Sequence, residues 1–381
     1  MNRTPQSPIP PFELERYFAR WEFNAPYLLC TSDIQGYPMR DLLELAAPAD
    51  REQWDTLTLG YTESTGLPAL RAEIAALYQS VSAQEVLCFS GAEEAIYIAA
   101  RVLLRPGDHA VVLTPCYQSL YQVAEACGAE VTRLPLRLEK DPSRPAWRLD
   151  PADLRAALRP NTRLVVINAP HNPTGWLPSQ AEWEELVGIV REAGCYFFSD
   201  EVYRWLEFDP ADRLPAAVDR YEKALSLGVM SKPFALAGLR IGWAACRDAD
   251  LLRAMAAYKD YTTICNSAPS EILALIALRA RERVLDRSMT LLRKNLDTTR
   301  AFMQRRADRF EWIAPRAGTI AFPAWKGPQS VEEFCAALVE SQGVLLLPGS
   351  VYGQPGRHFR YGLGRTNLPD ALERVDRFLD V

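Results

Sequence analysis

Long apolar runs, paired cysteines, excess positive charge and histidine are scarce or missing in this sequence, and each shortage excludes something. No apolar run approaches the roughly 20 residues a bilayer-spanning helix requires, so no transmembrane segment and no membrane partner are expected. The N-terminal stretch Met1 to Pro11 is rich in proline and has no apolar signal-peptide core. It reads as an extended arm. Eight cysteines stand singly at Cys30, Cys88, Cys116, Cys127, Cys195, Cys246, Cys265 and Cys335, with no C-x-x-C pair. That argues against zinc clusters and a disulfide-stapled secreted fold, and for the reducing cytoplasm. The net charge of −5 gives no global field for nucleic acid. Only three histidines, His109, His171 and His358, are present, which leaves little room for a histidine-centred mechanism. His171, beside the Asn172 turn, reads as a solvated loop residue, with a place in a pocket wall as its other reading. No G-x-G-x-x-G follows the first strand, which weighs against a nicotinamide dehydrogenase.

What is present is a chain of 381 residues, 48% hydrophobic and 24% charged. That is too long for one core and comfortable for two domains. Apolar runs at 85–89, 110–113, 163–167, 195–198, 224–227 and 241–246 lack polar alternation. Such runs are expected of strands covered on both faces. Amphipathic stretches at 91–104, 117–127, 151–158 and 179–193 lie between them. This rhythm predicts an α/β fold with a mostly parallel sheet. A long helix is expected over 268–305, entered through Ser267 and Pro269. The tail reads as a smaller α+β unit with strands near 319–323, 343–347 and 358–363 and helices near 331–341 and 369–379. The expected division is 1–45 as an arm and part of the small domain, 46–275 as a large domain, and 276–381 as a linking helix with the rest of the small domain.

Several polar residues stand where α/β folds collect ligand groups, at strand ends. Ser90-Gly91-Ala92 opens a helix and suits a phosphate; Ser90 with Glu93 equally reads as a capping box. Tyr117 suits stacking on a planar ring or packing at a helix start. Asn172-Pro173-Thr174-Gly175 is turn chemistry after the strand ending at Asn168. Asp200 closes a very apolar run, where a carboxylate needs a cationic partner; a helix cap is its other reading. Tyr203 follows, suited to donating a hydrogen bond. Lys232 stands in Ser231-Lys232-Pro233-Phe234, ahead of Gly238-Leu239-Arg240-Ile241-Gly242. A lysine in a dry pocket near a cation becomes a nucleophilic amine; an ordinary surface lysine is the alternative. Arg240 offers a fork for phosphate. Arg360 wants a carboxylate, whether from a ligand or a structural ion pair.

Together with Gly60-Tyr61 and Gly66-Leu67-Pro68, these motifs resemble the class I/II aminotransferases, fold-type I pyridoxal-phosphate enzymes, over roughly residues 30–381. The resemblance implies a large domain with a seven-stranded sheet, a small domain built from both chain ends, and pyridoxal 5'-phosphate as cofactor. It implies an internal aldimine at Lys232, Asp200 at the pyridine nitrogen, and Tyr203 and Asn172 at the phenolic oxygen. Tyr117 would stack on the ring. Ser90, Gly91, Ala92, Ser231 and Arg240 would hold the phosphate. Arg360, with Asn172 and Gly36, would bind the substrate, an amino acid or 2-oxo acid. Tyr61 would reach the neighbouring subunit of a homodimer with shared active sites. One departure is Val229, where the family often carries a phosphate-binding Ser or Thr. The stretches 114–120 and 168–173 resemble capreomycidine-synthase-type enzymes, so elimination or cyclisation stands beside amino transfer.

Overall fold

The structure, a computed structural model, describes residues 9–139, 146–354 and 356–380. The first eight residues of the proline-rich arm lie outside the described residues.

Seven strands form the main sheet: β1 (Val86–Phe89), β2 (His109–Thr114), β3 (Glu130–Pro135), β4 (Thr162–Asn168), β5 (Tyr196–Asp200), β6 (Ala224–Val229) and β7 (Gly242–Cys246). Their order is β1-β7-β6-β5-β4-β2-β3. Only β7 runs antiparallel, against both β1 and β6. The expected apolar runs are all strands here, and the central ones are buried along nearly their whole length. β3 has no counterpart among those runs. It is an edge strand paired with β2 alone, and Glu130, Arg133 and Pro135 on it are exposed, so its sequence carries no continuous apolar signal.

Helices flank the sheet with legible ends. Ser179 and Glu182 form a reciprocal capping box for Gln180–Ala193, and Gly194 closes that helix at φ 69°. Ser330 and Glu333 do the same for Val331–Gln342, closed by Gly343. The single long helix expected over 268–305 is instead two, Ala268–Arg279 and Arg281–Arg305, with Ala280 leaving helical geometry at φ −97°, ψ 21°. The first is buried on almost every side from Glu271 to Leu278, the second along one stripe, and the chain redirects between these two environments. Among the described residues, no helix is long and apolar enough to cross a membrane.

The chain ends meet. Tyr27–Leu28 pairs in parallel with Val344–Leu345. Phe359–Gly362 lies between Ile320–Ala321 and Leu347–Pro348. The amide of Gly362 donates to the carbonyl of Leu29 at 2.9 Å. A Cβ at Gly362 would sit 2.5 Å from the Thr31 carbonyl, so glycine is what lets the N-terminal segment approach. Helix Glu13–Trp21 buries Leu14 and Phe18.

Beneath these ends, Phe334 stacks on Trp325 at 4.0 Å between centroids and is fully buried. Phe334→Ala is expected to lower unfolding stability by about 3–5 kcal/mol through lost burial and a residual cavity. Chemical denaturation checks this; an unchanged midpoint contradicts the packing described.

Candidate active site

The carboxyl ends of β2, β4, β5 and β6 lie along one edge of the sheet. Register places Asn168 opposite Asp200, and Val229 opposite Gly242, which in turn faces Phe89. The polar residues that follow these strand ends therefore converge. A cavity of about 380 Å³ opens there. Ala92, Tyr117, Asn172, Asp200, Tyr203, Ser231, Lys232, Arg240 and Arg360 all line it. Ser90, Gly91, Gly36 and Tyr61 do not. Gly91 lies directly behind Arg240, the carbonyl of Gly36 accepts from Arg287 at 3.3 Å, and Tyr61 is exposed to solvent.

Charge in this cavity is poorly matched from within. Asp200 is buried and, among the described residues, its Oδ1 accepts only the Val202 amide, at 3.2 Å. Burial pushes its carboxyl up to about 7, more than that amide and Lys232 pull it down. Lys232 Nζ donates to Ser32 Oγ at 2.9 Å and lies 5.9 Å from the Tyr203 ring centroid. Its ammonium is pulled down to about 8, first by burial and then by the Arg360 and Arg240 charges, against the opposing effect of Asp33 and Asp200. Arg360 is 1% exposed. Its Nε donates to the Cys30 carbonyl at 2.7 Å and its Nη1 to Tyr352 Oη at 2.6 Å, while Nη2 is buried without a partner. Among the described residues, Arg360 forms no ion pair, so the structural alternative is not met there. A buried guanidinium with a spare donor invites an anion from outside.

Asn168 ties the neighbouring turn down. Its Nδ2 donates to the Asp200 carbonyl at 2.9 Å and its Oδ1 accepts the Asn172 amide at 2.6 Å. Tyr352 Oη donates to Asn172 Oδ1 at 2.9 Å, so Arg360, Tyr352 and Asn172 form one hydrogen-bonded chain.

The turn before helix Ala92–Leu103 differs from a capping box. Gly91 is the cap residue, at φ 98°, and the Ser90 amide donates to Glu94 Oε2 at 2.7 Å. A Cβ on Gly91 would lie 2.5 Å from Arg240 Nη2, and one on Gly242 would lie 2.7 Å from the Ala92 amide nitrogen. Only glycine permits this approach of a guanidinium to an open helix N-terminus, an arrangement suited to an anion. Glu94 is turned away to Thr262 and Thr263, whereas Glu93 lines the cavity and accepts from Ser119 Oγ. Val229 also lines it without a hydroxyl, with the hydroxyls of Thr31, Ser32 and Ser231 nearby in the lining.

His171 corrects an expectation. It is buried, its Nδ1 is 2.8 Å from Thr174 Oγ1, and burial lowers it to about 3, so it is no solvated loop residue. Ser32, Tyr352 and Glu93 went unmarked as site residues. Ser32 and Tyr352 meet their partners Lys232 and Asn172 only across 200 and 180 residues of sequence, and Glu93 reads as the capping-box partner of Ser90.

The raised Asp200 has a consequence for the protein without a bound cation. Its carboxyl stays protonated in the fold to about pH 7 but ionises near 3.8 when unfolded. The native state therefore binds more protons between those values, and stability falls as pH rises through that window. Cofactor-free Asp200→Asn is expected to melt several degrees above the wild type at pH 8 and at nearly the same temperature at pH 4, by calorimetry. An equal difference at both values contradicts the burial argument.

Comparison with known proteins identifies the family. The family model for aminotransferase class I and II matches residues 29–375. Capreomycidine synthase of Streptomyces vinaceus is 32% identical over 377 residues, covering 98% of this chain and 94% of that protein. A solved PLP-dependent aminotransferase from Streptococcus suis superposes with a TM-score of 0.90 at 30% identity, covering 98% of each chain. The solved PLP-dependent cyclase OrfR gives 0.89 at 29% identity, covering 99% of this chain and 98% of its own. The chain belongs to the class I and II aminotransferase family, and pyridoxal phosphate is its cofactor.

Proposed function

We propose that this protein transfers an amino group between an L-amino acid and a 2-oxo acid, with Lys232 as the residue that holds the cofactor and moves the proton. The observation that carries the reading is the pairing, in one cavity, of a lysine amine lowered to about 8 with a buried carboxyl raised for want of a cation.

The residues fit the group. Asp200, short of a cationic partner, suits the pyridine nitrogen. The Gly91 turn, with Ser90, Ala92, Ser231 and Arg240, suits the phosphate. Tyr117 suits the ring face. Tyr203 would donate to the ring oxygen, joined by Asn172, whose Oδ1 is already occupied by Tyr352 so that Nδ2 remains to donate. When bound, pyridoxal phosphate supplies a conjugated ring that draws electrons from the bonds at the substrate Cα. Arg360 Nη2 binds the substrate carboxylate and, braced by Cys30 and Tyr352, fixes the Cα relative to Lys232. Lys232 Nζ, lowered to about 8 so that a large share is free amine near that pH, takes the proton from that Cα and returns it at the acceptor carbon. Ser32 Oγ, 2.9 Å from Nζ, orients it.

A second reading is elimination or cyclisation on an amino acid. It is favoured by the likeness, over nearly the whole chain, to a capreomycidine synthase and a PLP-dependent cyclase. Both readings need the same proton transfer at Cα.

Around this site we place a smaller unit built from residues 1–45 and 276–381 against 46–275, supported by the pairing of Tyr27–Leu28 with Val344–Leu345. A homodimer is supported by the exposed Leu59, Tyr61 and Tyr261, with Tyr61 reaching its neighbour's phosphate site. The cytoplasm is supported by eight cysteines that are all free.

Lys232→Ala is expected to reduce turnover by at least roughly a thousandfold with the fold retained; near-wild-type activity contradicts the assignment. In the wild type, nitrogen from a labelled amino acid should appear in the amino acid formed from an added 2-oxo acid. Release of all the label as ammonia, or its retention in a cyclised product, moves the assignment to the second reading.

A further inference from the structure

The cavity holds more acid than the chemistry above uses. Its three lining cations are each committed under that reading: Lys232 and Arg240 to the cofactor, Arg360 to the substrate carboxylate. Of the acids, Asp200 faces the ring nitrogen, and Asp33 pairs with Arg365 at 2.9 Å. Glu15, Glu22 and Glu93 also line the cavity, and among the described residues none forms an ion pair. Glu93 Oε2 is buried with no hydrogen-bond partner. The unpartnered Nη2 of buried Arg360 independently marks the cavity as a ligand site.

These acids have an ordered setting. Leu14, Glu15, Phe18 and Glu22 come from one helix and the residue just past its end, at spacings that put them on one face, toward the cavity. Phe18 lies 5.6 Å from the Arg360 guanidinium, at the place where the substrate carboxylate binds. From there the wall offers apolar surface and then carboxylates. At its other end, Tyr117 Oη donates to Glu15 Oε1 at 3.5 Å, and Glu93 lines the same cavity, so the acids continue across it. Burial and the neighbouring Asp33 and Glu15 charges raise the Glu22 carboxyl, a strain that an incoming cation relieves. A long side chain with an apolar stem and a positive end matches this wall; an acidic one is repelled by it.

We propose that the substrate is an amino acid with a long cationic side chain, its stem against Leu14 and Phe18 and its charge among Glu22, Glu15 and Glu93. This deepens the cofactor-site reading and rests on it.

The test uses holoenzyme and two pairs matched in length but not in charge, lysine with norleucine and arginine with citrulline. Dissociation constants from calorimetry and kcat/KM are measured for each. At least roughly a tenfold preference for each cation is expected, the scale of one partly solvated charge contact. Glu22→Gln should shrink that preference several-fold, and Glu22→Lys should reverse it. Equal or better binding of norleucine and citrulline, with a clear change in the cofactor's absorption band, overturns this inference and leaves the cofactor site standing. No change in that band with any amino acid overturns both.

Discussion

Desolvated charge without an internal partner is the constraint on which this site depends. A carboxyl at the end of β5, an amine just past β6 and a guanidinium on the strand Phe359–Gly362 are drawn into one cavity. Each is partly supported and none is neutralised. Folding alone leaves them costly, and the cost is offset when ligands of opposite charge arrive. The spare Nη2 of Arg360 and the raised carboxyl of Asp200 are two expressions of that one fact.

Position selects the functional amine more strongly than burial does. Lys259 is also buried and lowered by burial, yet its Nζ donates to the Ser64 carbonyl at 2.6 Å and it does not line the cavity. Lys232 differs because β6 ends beside β5 and delivers it opposite Asp200, while the chain returns through Arg240 into β7. The supporting groups come from farther away. Cys30 and Ser32 are held by the N-terminal segment laid along Gly362, and Tyr352 links Arg360 to Asn172 across 180 residues of sequence.

Much of this was legible in the sequence because local signals coincide with global placement. Fully buried strands declare themselves as unbroken apolar runs, and short loops after them carry the polar groups. The edge strand Glu130–Pro135 escaped because one of its sides is unpaired and its residues are mixed. The break at Ala280 escaped because nothing local marks it; burial on either side decides it. Tyr352 and Ser32 escaped because their roles exist only through contacts between distant segments. His171 was misread because a turn next to proline looks solvated, whereas here the turn is enclosed and Thr174 Oγ1 partners the ring at Nδ1. Glu22 and Glu15 carry no mark in the sequence, and only the seating of that helix brings them to the cavity, Glu22 half-buried and Glu15 exposed.

The central claim is that Lys232, and no other lysine, joins the cofactor. Hydride reduction of the holoenzyme followed by peptide mapping tests it most directly. A single tagged peptide containing Lys232 is the predicted result. A tag at Lys259 or any other lysine, or no tag in a cofactor-saturated protein, would contradict it.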